Sequence, residues 1–177
     1  MNLKLKQGLS SASLRARHAA YAGPARRREG GNGMNIGMVT EFYYPHRGGI
    51  SEHVRSLSLA LMQRGHTVTV ITGGMSAGPM ESGPPVVRLG RSVTVRYNGS
   101  VSRFTIGAGL ERAVRGVLHD GRFDLVHLHN PLMPTLPHFA LRHAACPLVA
   151  TLHSGYPRDR WTEVFRRPLR RLLDRAG

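Results

Sequence analysis

Between Met34 and Arg64 the chain runs from a strand-like segment through a short aromatic loop and a glycine pair into an amphipathic helix. Asn35 to Thr40 reads as a short buried strand. Ile50 to Arg64 reads as a helix with Val54, Leu57, Leu61 and Met62 at core spacing, and Gly65 follows as a C-cap. This order brings the carboxyl end of the strand to the amino end of the helix, with Gly48 and Gly49 between them. Unpaired N–H groups and the positive end of the helix dipole there favour a phosphate or diphosphate. The bland alternative is a tight turn and nothing more. On its own, the segment indicates an anion-binding α/β domain.

The alternation continues along the chain. Thr67 to Thr72 is rich in β-branched residues and reads as a second strand. Val86 to Leu89 and Val93 to Tyr97 read as short strands around a polar turn. Ala108 to His119 is helical, with Leu110, Val114, Val117 and Leu118 in one stripe and Arg112, Arg115 and His119 away from it. Asp124 to His129 reads as a buried strand, Leu136 to Ala145 as a helix and Leu148 to His153 as a further strand. A basic helix is expected over Trp161 to Arg175, started or kinked at Pro168. The fold class is therefore α/β, a mostly parallel sheet covered by helices.

Charge is the second constraint. The 177 residues carry a formal net charge of +15. Met1 to Gly33 holds seven basic side chains against Glu29 alone. Lacking apolar periodicity, that segment reads as a disordered basic tail, and Met34 as the natural start. The excess suits a polyanionic partner, either an anionic membrane surface or nucleic acid, although solvated surface charge explains it equally. An aromatic content of 6% and the lack of a recognised binding motif count against nucleic acid. Cys146, the single cysteine, excludes a disulfide framework within the chain and a thiolate metal cluster. No apolar run approaches the ~20 residues of a spanning helix.

Ligands of open parallel sheets bind beyond the carboxyl ends of the strands. Three polar groups fall at such ends: Tyr43 to Ser51, His129-Asn130-Pro131 and His153-Ser154-Gly155. His127 and His129 share a strand face, a spacing that can hold a metal, but no carboxylate or thiolate cluster accompanies them. His153 ends the run Leu-Val-Ala-Thr-Leu-His, either as a ligand group or as a satisfied structural histidine. Asn98-Gly99-Ser100 reads as a turn, as a glycosylation acceptor or as a polar ligand contact. Absence of G-x-G-x-x-G after the first strand, of a P-loop and of G-x-S-x-G argues against dehydrogenase, NTPase and α/β-hydrolase chemistry.

Ile36-Gly-Met-Val, Gly48-Gly-Ile-Ser-Glu-His-Val and Arg64-Gly-His-Thr-Val-Thr-Val together resemble the amino-terminal half of family 4, GT-B-fold glycosyltransferases. Tyr97-Asn-Gly-Ser-Val, Phe123-Asp-Leu-Val-His-Leu-His-Asn-Pro and Val149-Ala-Thr-Leu-His-Ser are similar to the bacterial phosphatidylinositol α-mannosyltransferases within that family. The loop Glu41-Phe-Tyr-Tyr-Pro is also similar to eukaryotic phosphatidylinositol N-acetylglucosaminyltransferases. The resemblance implies one Rossmann-like half of a GT-B fold over residues 34–177, holding the acceptor. It implies retaining transfer of a hexose, mannose from GDP-mannose, to a lipid-linked or polyol acceptor, without a metal. Gly49 would place its N–H against the donor diphosphate beside Gly48, and His153 would orient the hexose. Phe42, Ser51, Asn98, Arg103 and Ser154 would hold the acceptor, with Asn98 on an inositol ring and Arg103 on its phosphate. Ser51 departs from the glutamine usual at its place, Ser154 from threonine, and Asn130 from the glutamate of His-Glu-Pro. Arg112, Arg115 and His119 would face anionic lipid, giving a cytoplasmic protein peripheral at the inner face of the membrane.

The two-glutamate donor loop of such enzymes has no counterpart here, so the chain is expected to be incomplete at its carboxyl end. It is then inactive alone, with a donor domain lost or supplied in trans. A non-catalytic module for anionic membrane surfaces is the competing reading; it predicts liposome binding that survives His153→Ala.

Overall fold

The computed structural model describes residues 33–74, 83–97, 100–131 and 133–153. The elements are β1 (Asn35–Val39), α1 (Gly49–Gln63), β2 (Thr67–Gly73), β3 (Val86–Leu89), β4 (Arg91–Tyr97), β5 (Ser100–Ile106), α2 (Leu110–Gly121), β6 (Leu125–His129), α3 (Leu136–His143) and β7 (Leu148–Thr151). The basic tail up to residue 32, Asn98, Ser154 and the terminal helix expected over 161–175 lie outside the described residues.

Five strands form one parallel sheet in the order β3-β2-β1-β6-β7. The chain builds outward from β1 to β3, then returns to place β6 on the other side of β1. Connections therefore diverge at the carboxyl ends of β1 and β6, the crevice where such sheets take ligands. Helices cover both faces. Ile36, Met38, Val68 and Val70 pack with Val54, Leu57 and Leu61 of α1 on one face. Val39, Ile71, Val126 and Leu128 pack with Val114, Val117, Leu136 and Ala140 of α2 and α3 on the other. Burying each such aliphatic side chain contributes about 1.5–3 kcal/mol relative to exposure.

Helix α1 ends as the sequence predicts. Gly65 has φ +89, its N–H bonds the Met62 carbonyl and the His66 N–H bonds the Leu61 carbonyl. That pairing satisfies two terminal carbonyls, and glycine adopts the left-handed conformation without a Cβ penalty. Met62, expected in the core, is exposed instead. Ser51, Val54 and Ser58 form the buried stripe, because Ser58 Oγ satisfies itself on the Val54 carbonyl at 2.7 Å and fits against the Met38 sulfur.

The paired strands expected around a polar turn are also rearranged. β3 joins the parallel sheet beside β2, whereas β4 pairs antiparallel with β5, a strand that periodicity does not reveal. The register runs from Arg91 opposite Ile106 to Tyr97 opposite Ser100. This hairpin approaches the end of β2 closely: a Cβ on Gly73 would lie 2.4 Å from Thr105 Oγ1. Among the described residues, no helix is long and apolar enough to cross a membrane.

Candidate active site at the carboxyl ends of the strands

Side-chain alternation along β6 determines which face carries its histidines. Val126 and Leu128 point into the core under α2 and α3, so His127 and His129 project towards α1. There the His127 and His129 rings stack, with centroids 4.3 Å apart and planes at 26°. His153, just beyond β7, stacks on His129 at 5.1 Å and 23°, and the His129 Nδ1 to His153 Nε2 distance is 2.9 Å. His53 comes from α1, one turn after Gly49, and sets its ring edge-on to His153 at 5.0 Å and to His129 at 5.7 Å. Four imidazoles from three elements thus meet at the crevice.

The backbone beneath them is held by Asn130. This residue has φ +55, a conformation asparagine tolerates better than most side chains. Its Oδ1 accepts the His153 backbone N–H at 2.9 Å, and its own N–H bonds the Thr151 carbonyl. His127 Nε2 meets Thr151 Oγ1 at 2.7 Å. Burial, reinforced by neighbouring imidazoles, pushes the proton affinities down. His129 falls to about 3, through burial and then His127, His153 and His53. Burial and then His53 lower His153, and burial with His53 and His153 lowers His127. The buried pair is therefore neutral at pH 7. His129 Nε2 is buried and has no hydrogen-bond partner among the described residues.

The start of α1 is open. Gly48 is extended, φ 175, so no backbone conformation requires glycine there, and no side chain caps the helix. A Cβ on Gly49 would meet nothing within 4 Å. The side-chain direction of Gly49 is thus open, and the first N–H groups of the helix receive no side-chain cap, the arrangement in which a helix start can accept an anion.

The loop after β1 is anchored by Glu41. Its buried carboxylate accepts the Leu136 N–H at 2.8 Å and the Thr105 hydroxyl at 2.5 Å, and it also accepts the Thr135 hydroxyl. A single side chain thereby ties β1 to the β4–β5 hairpin and caps α3. Burial raises its pKa against the lowering effect of those hydrogen bonds.

The profile of Glycosyltransferase Family 4 matches residues 47–177. The chain belongs to Glycosyltransferase Family 4. A phosphatidyl-myo-inositol mannosyltransferase of Mycobacterium leprae is 38% identical over 138 residues, covering 77% of this chain and 36% of that protein. One from Propionibacterium freudenreichii is 35% identical over 147 residues, 80% of this chain and 39% of the relative. One of the subunits of human phosphatidylinositol N-acetylglucosaminyltransferase is 34% identical over 114 residues, 62% of this chain and 22% of its own length. The chain thus spans well under half the length of these relatives. Among solved structures, the catalytic domain of starch synthase IV from Arabidopsis thaliana, bound to ADP and acarbose, has a TM-score of 0.42 at 14% identity, covering 69% of this chain and 34% of its own.

In this Glycosyltransferase Family 4 domain, His153 and the glycine-led start of α1 come together through His53. Phe42 and Arg103 share a second neighbourhood. The Phe42 and His46 ring centroids are 6.3 Å apart, and Arg103 donates to His46 Nδ1 at 3.1 Å. Burial and then Arg103 lower the His46 pKa. Ser51 is buried, with no partner for its hydroxyl among the described residues. Arg112, Arg115 and His119 are exposed on α2, and the His119 ring lies 3.0 Å from the neighbouring Asp120 carboxylate. Sequence reasoning missed His53 and Glu41, and it named His46 only within the segment Tyr43 to Ser51, without a role. Their positions in a helix turn and a loop carry no periodic signal of what they face across the sheet.

Proposed function

We propose that this domain is the acceptor half of a retaining glycosyltransferase that moves mannose from GDP-mannose to an inositol-containing lipid, and that turnover requires a donor-binding half besides it. The observation that carries this reading is the meeting of an uncapped helix start with a neutral imidazole, His153, at the crevice between β1 and β6. The N–H groups at Gly49 would stabilise the charge that develops on the departing diphosphate. Such preorganised donors are typically the largest protein contribution to a transfer of this kind. His153, neutral at pH 7, would hydrogen-bond the hexose without adding a competing charge. In the transfer, the acceptor oxygen bonds to the anomeric carbon as the bond to the diphosphate oxygen breaks on the same face. The acceptor proton passes to that leaving oxygen.

Phe42, Ser51, Asn98, Arg103 and Ser154 would hold the headgroup, with the Arg103 guanidinium on its phosphate. The exposed Arg112, Arg115 and His119 would bring the domain to the anionic inner face of the membrane, each arginine near the surface contributing about 1 kcal/mol. The family relationship to phosphatidyl-myo-inositol mannosyltransferases at 35–38% identity supports mannose and an inositol lipid above other pairs.

Sedimentation of the chain with vesicles separates this from a general membrane-surface module. Phosphatidylinositol vesicles should bind more tightly than phosphatidylserine vesicles of equal charge. Asn98→Ala should remove that preference, about fivefold for one neutral hydrogen bond of about 1 kcal/mol. Arg103→Ala, on a phosphate both lipids carry, should instead weaken binding to both by about tenfold or more. Equal binding to both lipids, unaltered by Asn98→Ala, would favour the module and end the acceptor reading.

A further inference from the structure

We propose that His53, His129 and His153 form a site for one divalent transition-metal ion of the nitrogen-preferring class, such as zinc, cobalt or nickel. One nitrogen of each ring lies within 4.8 Å of the corresponding atoms of the other two. A tetrahedral ion with bonds of 2.0–2.1 Å needs its nitrogens about 3.3 Å apart. His129 and His153 already offer two at 2.9 Å. His53 is exposed on α1, so rotation of its side chain closes the remaining gap without moving the helix.

The donor set decides the class of ion. Three imidazoles without a carboxylate select zinc-like ions, whereas magnesium and calcium require oxygen ligands. Position adds to this. His129 is held in place by stacking on both His127 and His153. Coordination through its Nδ1, the nitrogen already 2.9 Å from His153 Nε2, replaces a contact between two imidazoles. The ligands come from α1, β6 and the end of β7, so the ion would fasten the helix start to two strand ends. A three-ligand set leaves a fourth position for water or an anion. Where the proposed transfer holds, the ion occupies the imidazole meant for the hexose and acts as an inhibitor. That consequence rests on the proposed function, but the binding site does not.

Titration of the tag-free chain with Co²⁺, followed by visible absorption, tests the site directly. Saturation at one ion per chain, with displacement by Zn²⁺ and none by excess Mg²⁺, is expected. His53→Ala and His153→Ala should each weaken binding by about a hundredfold or more, since loss of a group that merely supports a ligand already costs ten- to a hundredfold. His138→Ala, on α3 across the sheet from the cluster, should leave it unchanged. His53 is exposed, so circular dichroism of His53→Ala should match the parent and isolate the loss of a ligand. An absence of saturable absorption, or equal affinity in the parent and His53→Ala, overturns the proposal, the latter by showing that others of the ten histidines bind the ion. Vesicle binding is independent of this titration, so failure of one reading is distinguishable from failure of the other.

Discussion

Glu41 and His129 are both buried titratable groups just past or at the carboxyl ends of adjacent parallel strands, yet they do opposite work. Burial drives both towards their neutral forms, raising the carboxyl and lowering the imidazole. Glu41 has every oxygen engaged, by Thr105, Thr135 and the Leu136 N–H. His129 has one nitrogen against His153 and the other with no partner among the described residues. A fully satisfied buried polar group defines architecture. One left partly unsatisfied retains binding capacity, and the structure places that capacity beside the open start of α1.

The largest effect should come from removing the satisfied group. Glu41→Ala leaves three donors facing an apolar void, each costing about 1–3 kcal/mol when unpaired. Destabilisation of several kcal/mol in urea unfolding is expected. Glu41→Gln retains an oxygen for Thr135 and Leu136, and Thr105 can reverse to accept from the amide, so the loss should be much smaller. Equal stability of the two variants would break the comparison at its architectural end.

Acidification should expose the other member. His129 has a folded pKa of about 3 against an ordinary 6.5. Between those values the unfolded chain binds the proton and the folded chain does not. Its stabilising effect is thus whole above pH 6.5 and is lost as pH falls towards 3, at about 1.4 kcal/mol per pH unit. Glu41 runs the other way: with its pKa raised above 4.5, its contribution is whole below that value and declines as pH rises through the folded pKa. His129→Phe should therefore flatten the acid limb of the stability curve, with His127 and His153 supplying what slope remains. An unchanged limb would mean that His129 is not the buried base the geometry makes it.

The two groups also differ in how far the sequence reveals them. Histidines at 127, 129 and 153 follow from strand periodicity and from the rule that ligands gather beyond strand ends, so most of the cluster is readable in one dimension. His53 is not. It is exposed on a helix whose own pattern shows only what faces the sheet, and its neighbours are fixed by the crossover from β1 to β2. Glu41 is equally hidden, because a loop carboxylate discloses neither its burial nor that donors 64 and 95 residues away will meet it. Strand β5 escaped for a simpler reason: Ser102, Arg103, Phe104 and Thr105 put polar groups on both faces, and alternation fails where a hairpin packs against a site instead of a core. The parallel strands and the helices are legible because apolar burial writes them repeatedly along the chain; the order of the strands in the sheet is not, since it depends on which way each crossover runs.

Ser51 gives the smallest and sharpest test. Like His129 it is buried with an unpartnered polar atom among the described residues, but it carries no titratable charge and sits on the first turn of α1. Deleting an unpaired hydroxyl removes a desolvation penalty and a small packing contribution together, so Ser51→Ala should change stability by no more than about 0.5 kcal/mol. The same substitution should weaken binding to phosphatidylinositol vesicles by about fivefold, the equivalent of one neutral hydrogen bond of about 1 kcal/mol. A loss of stability above ~1.5 kcal/mol would mean the hydroxyl already has a structural partner. Ser51 would then belong with Glu41, and the capacity assigned to the crevice would narrow to the imidazoles.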